Sequence, residues 1–421
     1  MSKLFKHAFS DLYDISSGIS STKEQAGHGT PFASFRTVFN NIFLPDELPD
    51  LMDVSEKEKE IFSIKKGDIL ITRTSETVDE LAMSCVALKD YPQATYSGFV
   101  KRLRPKTEGI VYDRFMAFFL RSKYFRKVIE CNTIMTLRAS FNEDMFSFLD
   151  LYLPDYETQK RIGDLLYHME RKRENNARIN DNLQQQLKLM YDYWFNQFDF
   201  PNEDGKPYRA SGGKMQYSFR LKRDIPEGWT EESVISNSIS VPIKPGVERF
   251  STKSYLATAD VNGTRLSSGS LIDYETREGR ANMQPTVSSV WFAKMKNSIK
   301  HLFLNREMKQ LIDSTILSTG FCGLQCTEKS FEYISAFIEH SYFEDVKNIL
   351  AHGATQESVN NDDLLGLGML VPTSEVLELF HAKAKPLYAQ ISRNICENQK
   401  LTEIRDWLLP MLMNGQATIS D

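Results

Sequence analysis

Nowhere in the 421-residue sequence is there a run of about 20 apolar residues, which removes a transmembrane helix from the reading. The opening residues MSKLFKHAFSDLYD carry no signal-peptide apolar core, so the chain is expected to stay in the cytoplasm. Cysteines are few and odd in number. Cys85, Cys131, Cys322, Cys326 and Cys396 are scattered, and no disulfide framework is expected. No two prolines are adjacent, so the Asn/Asp-Pro-Pro-aromatic loop by which an amino-methyltransferase holds its target amine has no counterpart. A nicotinamide-type glycine fingerprint is also missing. The nearest approach to a phosphate loop is Gly212-Gly213-Lys214, but Tyr208 stands where the first glycine belongs and Met215 where Ser or Thr belongs. An excess of positive charge is lacking too: 51 Lys and Arg face 56 Asp and Glu, a net charge of -5. The chain is therefore not a globally basic nucleic-acid binder, although local patches and partner subunits can supply positive charge.

Metal and nucleophile chemistry are equally thin. Glu170-Arg171-Lys172 has the letters of a metal-dependent nuclease motif, but it lies mid-helix among further charges and reads as a solvated face. Cys322 and Cys326 with His301 or His340 are spaced one residue too wide for the common zinc pair, and no second compact pair follows. They read as two semi-buried cysteines. The seven histidines are dispersed, with no nucleophile–histidine–acid arrangement. No metal site is expected, and no catalytic residue.

What is present is ordinary globular composition, 41% hydrophobic and 25% charged, at a length that calls for two or more domains. The chain also repeats itself. Tyr124/Tyr342, Phe125/Phe343, Ser140/Ser358, Asp144/Asp362, Leu149/Leu367, Pro154/Pro372 and Glu157/Glu375 share one offset of 218 residues, and Asn176/Asn394, Asn180/Asn398 and Leu183/Leu401 keep it. Two tandem copies follow, each a globular part and a tail. Upstream of Tyr124 the globular parts differ almost completely in sequence.

Both tails carry apolar residues at helical spacing. Each is about 40 residues, roughly 60 Å at 1.5 Å per residue, and cannot bury its stripe alone. Pairing of the two is the economical solution, antiparallel if a pseudo-twofold axis relates the copies. The expected seam comprises Leu166, Met169, Asn176, Asn180 and Leu183 from the first helix. The second contributes Leu387, Ile391, Asn394, Asn398 and Leu401. The asparagines either fix the register or remain solvated amides. Pro386 should kink or break the second helix. The connector from Phe198 to Trp229 is rich in Pro and Gly and should lie on the surface. Ile69–Ile71, Val100–Leu103 and Val290–Phe292 read as strands, and Tyr112–Leu120 and Phe331–Ile338 as helices. The class is α+β: two mixed α/β domains joined by two long helices. Boundaries fall at 1–153, 154–197, 198–228, 229–371 and 372–416, with a tail at 417–421.

The remaining chemistry is polar and basic surface. Lys101, Arg102, Arg104 and Lys106 follow Tyr96 and Phe99; Lys123, Arg126 and Lys127 share a helix face; Lys294, Lys296, Lys300 and His301 follow Trp291 and Phe292. Such groups suit phosphate contacts, whereas base reading needs Arg, Asn, Gln, Ser or Thr at a groove. The candidate DNA-binding residues are Ser34, Arg36, Thr37, Arg73, Thr74, Ser75, Tyr96, Lys101, Arg102 and Arg138 in the first copy. In the second they are Arg249, Ser251, Thr252, Lys294 and Lys296. Any single one of these also reads as a solvated loop residue.

Several stretches carry a family likeness. They are Lys66-Gly67-Asp68-Ile69-Leu70, Tyr193-Trp194-Phe195-x-Gln197-Phe198-Asp199-Phe200-Pro201 with Gly205-Lys206-Pro207-Tyr208, Ile225-Pro226-Glu227-Gly228-Trp229, and the C-terminal Leu408-Leu409-Pro410-Met411-Leu412-Met413-Asn414-Gly415-Gln416. In this order, with the duplicated layout, the chain resembles the specificity subunit of type I restriction–modification systems. The resemblance implies two target recognition domains, each reading one half of a split, asymmetric double-stranded DNA target, and an antiparallel coiled coil of spacer helices that sets the unread gap. It implies no enzymatic activity in this chain. S-adenosylmethionine, ATP and Mg would belong to partners, namely two methyltransferase subunits and the restriction/translocase subunits. A coiled-coil scaffold without sequence reading, or a diverged DNA-modifying enzyme, are the alternatives. The first domain lacks the Pro-x-Gly-Trp seen at Trp229: its start reads Leu12-Tyr13-Asp14-Ile15.

Overall fold

Ile69–Thr72, entirely apolar but for its last residue and preceded by the Gly67 turn (φ +85°), forms a fully buried strand at the centre of a sheet. The structure is a computed structural model describing residues 3–20, 22–133, 139–219, 221–263, 265–267 and 269–419. The chain divides into two units, Met1–Lys172 with Leu401–Asp421, and Arg173–Lys400.

The first unit contains β1 (Phe5–Ala8), β2 (Tyr13–Ser17), β3 (Ala26–Ala33), β4 (Asp50–Met52), β5 (Ile69–Thr72), β6 (Ser84–Val86), β7 (Thr95–Tyr96), β8 (Val100–Pro105), α1 (Asp113–Phe119), α2 (Lys123–Asn132) and β9 (Asp150–Leu153). It also holds the start of α3 (Tyr156–Tyr191). One antiparallel sheet has the order β2-β8-β5-β6. A second has the order β4-β3-β7, with β3 parallel to β7. β1 pairs antiparallel with β9, Phe5 opposite Leu153, immediately before α3 begins.

The second unit contains β10 (Thr230–Ser233), β11 (Ser240–Pro242), β12 (Thr252–Leu256), β13 (Ser270–Asp273), β14 (Ala281–Met283), β15 (Ser289–Ala293), β16 (His301–Leu304), β17 (Thr315–Ser318), β18 (Phe321–Cys326), α4 (Phe331–Glu339), α5 (Ser341–Leu350), β19 (Gly368–Val371) and most of α6 (Ser374–Met413). Its sheets have the orders β11-β18-β15-β16 and β13-β12-β17-β14, with β12 parallel to β17. β10 pairs antiparallel with β19, just before α6.

The two bodies thus share one plan in their two main sheets, with β14 added in the second. The repeat seen in sequence only from Tyr124 onward extends to the start of each domain. Upstream of Tyr124 the sheet order is kept by the pattern of buried positions while residue identities change.

Both long helices form where the stripes place them. Asp155 caps α3, its carboxylate accepting from the Thr158 amide (3.0 Å) and hydroxyl (2.8 Å). α6 runs unbroken through Pro386, which corrects the expected break. Pro386 is exposed, so solvent can take the carbonyl that its missing N–H leaves free. Inside the second unit the helices pair antiparallel: Asn394 Nδ2 donates to Asn180 Oδ1 (2.8 Å), and Asn176 Nδ2 to Asn398 Oδ1 (3.0 Å). Asn176, Asn180 and Asn394 are buried, so a shifted register would strand their amides at about 1–3 kcal/mol each. Leu183, Leu387 and Ile391 pack into the same core. In the first unit Leu166 and Met169 pack with Leu401 and Leu408, and Arg405 pairs with Glu170 at 3.3 Å. Glu170 is therefore committed to helix pairing and not to a solvated face.

The connector departs from a surface loop. Phe198, Phe200 and Trp229 are buried, with Phe200 stacked between Tyr208 (4.6 Å) and Trp229 (5.4 Å). Met215–Ser218 and Arg223–Pro226 form a hairpin. Burial of these rings outweighs the turn-forming glycines and prolines around them.

Candidate nucleic-acid interface

In the first unit, Arg73 leaves the end of β5 exposed, and its amide donates to the Phe99 carbonyl (2.9 Å). Phe99 is itself 64% exposed. Thr74 and Ser75, half-buried, pair with Ser140 and Ala139. Arg73, Thr74, Ser75 and Phe99 thus come together on one edge. Ser34 caps the short helix Phe35–Asn40, its hydroxyl accepting from the Thr37 amide (3.2 Å), and Arg36 projects from it, exposed.

Four sequence-derived candidates lie inside the domain and are corrected. Tyr96 is fully buried, its hydroxyl bonded to the Ser16 hydroxyl (2.8 Å). Arg102 donates to the Ser63 carbonyl (2.6 Å) and lies over the Tyr96 ring. Lys101 is 4% exposed and ends on Glu143 (3.1 Å). The buried Thr37 donates to Asp50 (3.3 Å). β8 is a central strand with neighbours on both sides, so its basic residues point into internal partners. The neighbouring Arg104 forks onto buried Asp68 at 2.8 and 2.6 Å, and Arg126 donates to the Leu81 and Ala82 carbonyls. Arg138 lies outside the described residues.

In the second unit Phe250, Ser251, Thr252, Lys253, Lys309 and Gln310 line an open groove of about 750 Å³. Thr252 donates to Asp273 (2.7 Å), and the exposed Arg249 pairs with Glu275 (2.5 Å). Lys309 and Gln310, on the short helix Lys309–Ser314, were invisible as groove residues in sequence because they come from a segment 57 residues beyond Thr252. Lys296 pairs with Glu357 (2.8 Å), and Lys294, half-buried, borders β15 away from that groove lining. His301 faces Glu344 (2.9 Å) inside the domain.

Ser251 and Thr252 sit at the start of β12. The same end of the equivalent strand β3 is Gly27-His28-Gly29, exposed, with both glycines at positive φ (+88° and +94°). A side chain on Gly29 would meet the Met52 carbonyl at 2.5 Å. The signal for this edge was the glycine pair around one histidine, which sequence reading passed over.

Among the described residues no three His, Cys, Asp or Glu side chains gather as a metal site. Cys322 and Cys326 are buried on β18, and burial pushes the Cys322 thiol up to about 12. No described helix is long and apolar enough to cross a membrane.

Comparison with known proteins bears on this geometry. Residues 9–185 match the family model described as type I restriction modification DNA specificity domain. The specificity subunit of the type I restriction enzyme HindI from Haemophilus influenzae is 23% identical over 96% of this chain and 98% of its own length. That of MjaIX from Methanocaldococcus jannaschii is 22% identical, over 95% and 89%. Among solved structures, the S subunit of a type I restriction-modification system from M. genitalium is similar in fold, with a TM-score of 0.56 at 12% identity over 98% of this chain and 96% of that one.

Proposed function

We propose that the chain is a specificity subunit of a type I restriction–modification system, a reading supported by its likeness to such subunits, and that each of its two domains reads one half of a split double-stranded DNA target. The observation that carries this reading is the duplicated body. One sheet plan is built twice, with the exposed polar residues at the equivalent strand edges differing between copies: Gly27-His28-Gly29 in one, Ser251-Thr252-Lys253 in the other. Two readers of one construction and different surface chemistry fit an asymmetric target.

The chain itself is non-catalytic in this reading. Two methyltransferase subunits dock on it and methylate adenine with S-adenosylmethionine, and restriction/translocase subunits join through the complex with ATP and Mg. The assembly works in the cytoplasm. A flipped target adenine enters the methyltransferase and not this chain. A paired-helix spacer of fixed length sets the number of unread base pairs, because DNA advances about 34–36 Å per turn. Net negative charge is compatible with this role when partners share the phosphate contacts.

Expression of the chain with its modification subunit in a methylation-free host, followed by genome-wide reading of modified bases, tests the proposal. A split asymmetric motif with one methylated adenine per half is expected. No motif from an assembled complex would favour the scaffold reading.

A further inference from the structure

A cavity of about 130 Å³ lies within the second unit, bounded by β16, the end of α4, and facing turns of α3 and α6. Leu302, Phe303, Met308, Ile391 and Ile395 make most of its wall apolar. Gln184, His301, Glu339, Tyr388 and Ser392 are the polar residues of that wall. The Glu339 carboxylate accepts from Gln184 Nε2 (2.9 Å), and burial pushes this carboxyl up to about 7. Tyr388 is 2% exposed, and its hydroxyl has no hydrogen-bond partner among the described residues. Its ring is held by Phe303 and Phe331, both 6.0 Å away. Burial first, and then the negative charges of Glu339 and Glu332, resist ionisation of this hydroxyl. The other charged neighbours are accounted for. Lys188 on α3 draws the Glu339 pKa down, and His301 is turned to Glu344.

The first domain shows what suits such a place. The residue at the 218-residue offset from Glu339 is Arg121. Its guanidinium donates to the Ser84 carbonyl of β6 (2.6 Å), the strand equivalent to β16, and to the carbonyls of Val38, Phe39 and Asn41 (2.9, 2.9 and 2.8 Å). There a planar cation from the chain occupies the position beside the strand. In the second domain the charge is reversed and space remains next to a half-buried acid. A cavity of about 150 Å³ holds one benzene-sized molecule, so the volume suits a single ring or a short branched chain.

We propose that this cavity is a binding site for a compact amidine, guanidine or primary amine, whose N–H groups donate to the Glu339 carboxylate while its hydrocarbon part lies against Leu302, Phe303, Ile391 and Ile395. The bound cation would take the role that Arg121 plays in the first domain. Since Gln184 and Tyr388 belong to the paired helices and Leu302 and Phe303 to the recognition body, the ligand would tie one to the other inside this unit. This site is independent of the DNA-reading proposal.

The test uses the full chain and benzamidine as probe, with benzyl alcohol as a neutral control, followed by calorimetric titration and ligand-observed NMR. Saturable one-to-one binding of benzamidine is expected, with a Kd of about 1 mM or tighter. Glu339→Gln should weaken it about tenfold or more, with cooperative melting retained. Ile391→Trp, which fills the cavity, should abolish it. Benzyl alcohol should bind more weakly than benzamidine and be indifferent to Glu339→Gln. Absence of saturable benzamidine binding to the folded wild-type chain, or equal binding by Glu339→Gln, would overturn the proposal.

Discussion

The two domains solve the same attachment problem with opposite chemistry. In the first, α1 supplies the cation and α3 the acid: Arg114 pairs with Asp164 at 2.6 Å and lies over the Tyr167 ring at 4.0 Å. Burial works against the Asp164 carboxylate, but hydrogen bonds from Tyr112 and Arg114 outweigh it and hold its pKa below the usual range. In the second domain the position equivalent to Arg114 is Glu332 on α4, and it pairs with His381 of α6 at 2.7 Å. His381 in turn occupies the position equivalent to Gly163. Gly163 is needed because α3 passes so close to α1 that a Cβ would lie 2.6 Å from the Phe115 amide nitrogen. What the copies share is the frame, namely the strand ladder before each long helix and the order of the sheets. Side-chain chemistry on that frame is free to change, which is what two readers of different bases require.

The sharpest way to break the symmetry is Arg121→Ala. It strips four carbonyls of their donor and should destabilise the first unit by about 3–5 kcal/mol, seen as separation of one melting transition from the other. Next is Gly163→Ala, expected to cost about 2–3 kcal/mol from the clash with α1. His381→Ala, its counterpart, should cost only about 1–2 kcal/mol for the unpaired Glu332. Equal costs at the two positions would mean that the close approach exists in neither or both. Asn394→Ala should cost about 1–2 kcal/mol by stranding Asn180, and denaturant melts can read it.

A pH test addresses the second unit alone. Glu339 holds its proton to about 7 when folded but releases it near its ordinary value when unfolded. The unfolded state therefore binds fewer protons across that window, and stability falls as pH rises through it. The melting difference between wild type and Glu339→Gln should grow from pH 4.5 to 7 and level off at about 3 kcal/mol in favour of the variant. A difference independent of pH would place the carboxyl in water. The smallest effects are expected at the surface. Arg73→Ala and Arg249→Ala should each weaken binding to one half-site by about three- to tenfold in footprinting, with stability changed by less than about 0.5 kcal/mol.

Sequence reading located the long helices, their pairing and the central strands Ile69–Ile71, Val100–Leu103 and Val290–Phe292, because these depend on periodic burial. It gave two tandem globular copies but not the strand order they share, since strand order leaves no residue-by-residue trace once both faces of a sheet are covered. It also took Lys101 and Arg102 for surface charge. In sequence a basic residue beside apolar ones in a strand looks solvated; only the assembled sheet shows that Glu143 and the Ser63 carbonyl receive them. The groove at Thr252 combines segments far apart in the chain, so its Lys309 and Gln310 could not be gathered by spacing.

The central claim is that the two bodies read DNA separately. The most direct measurement replaces residues 240–326 with the corresponding body of a specificity subunit of known target, co-expresses the variant with the proposed modification subunit, and maps its methylated motif against that of the wild type. Separate reading by the two bodies predicts that one half of the split motif changes while the other half and the gap stay as they were. A change in both halves, or in neither, would contradict it.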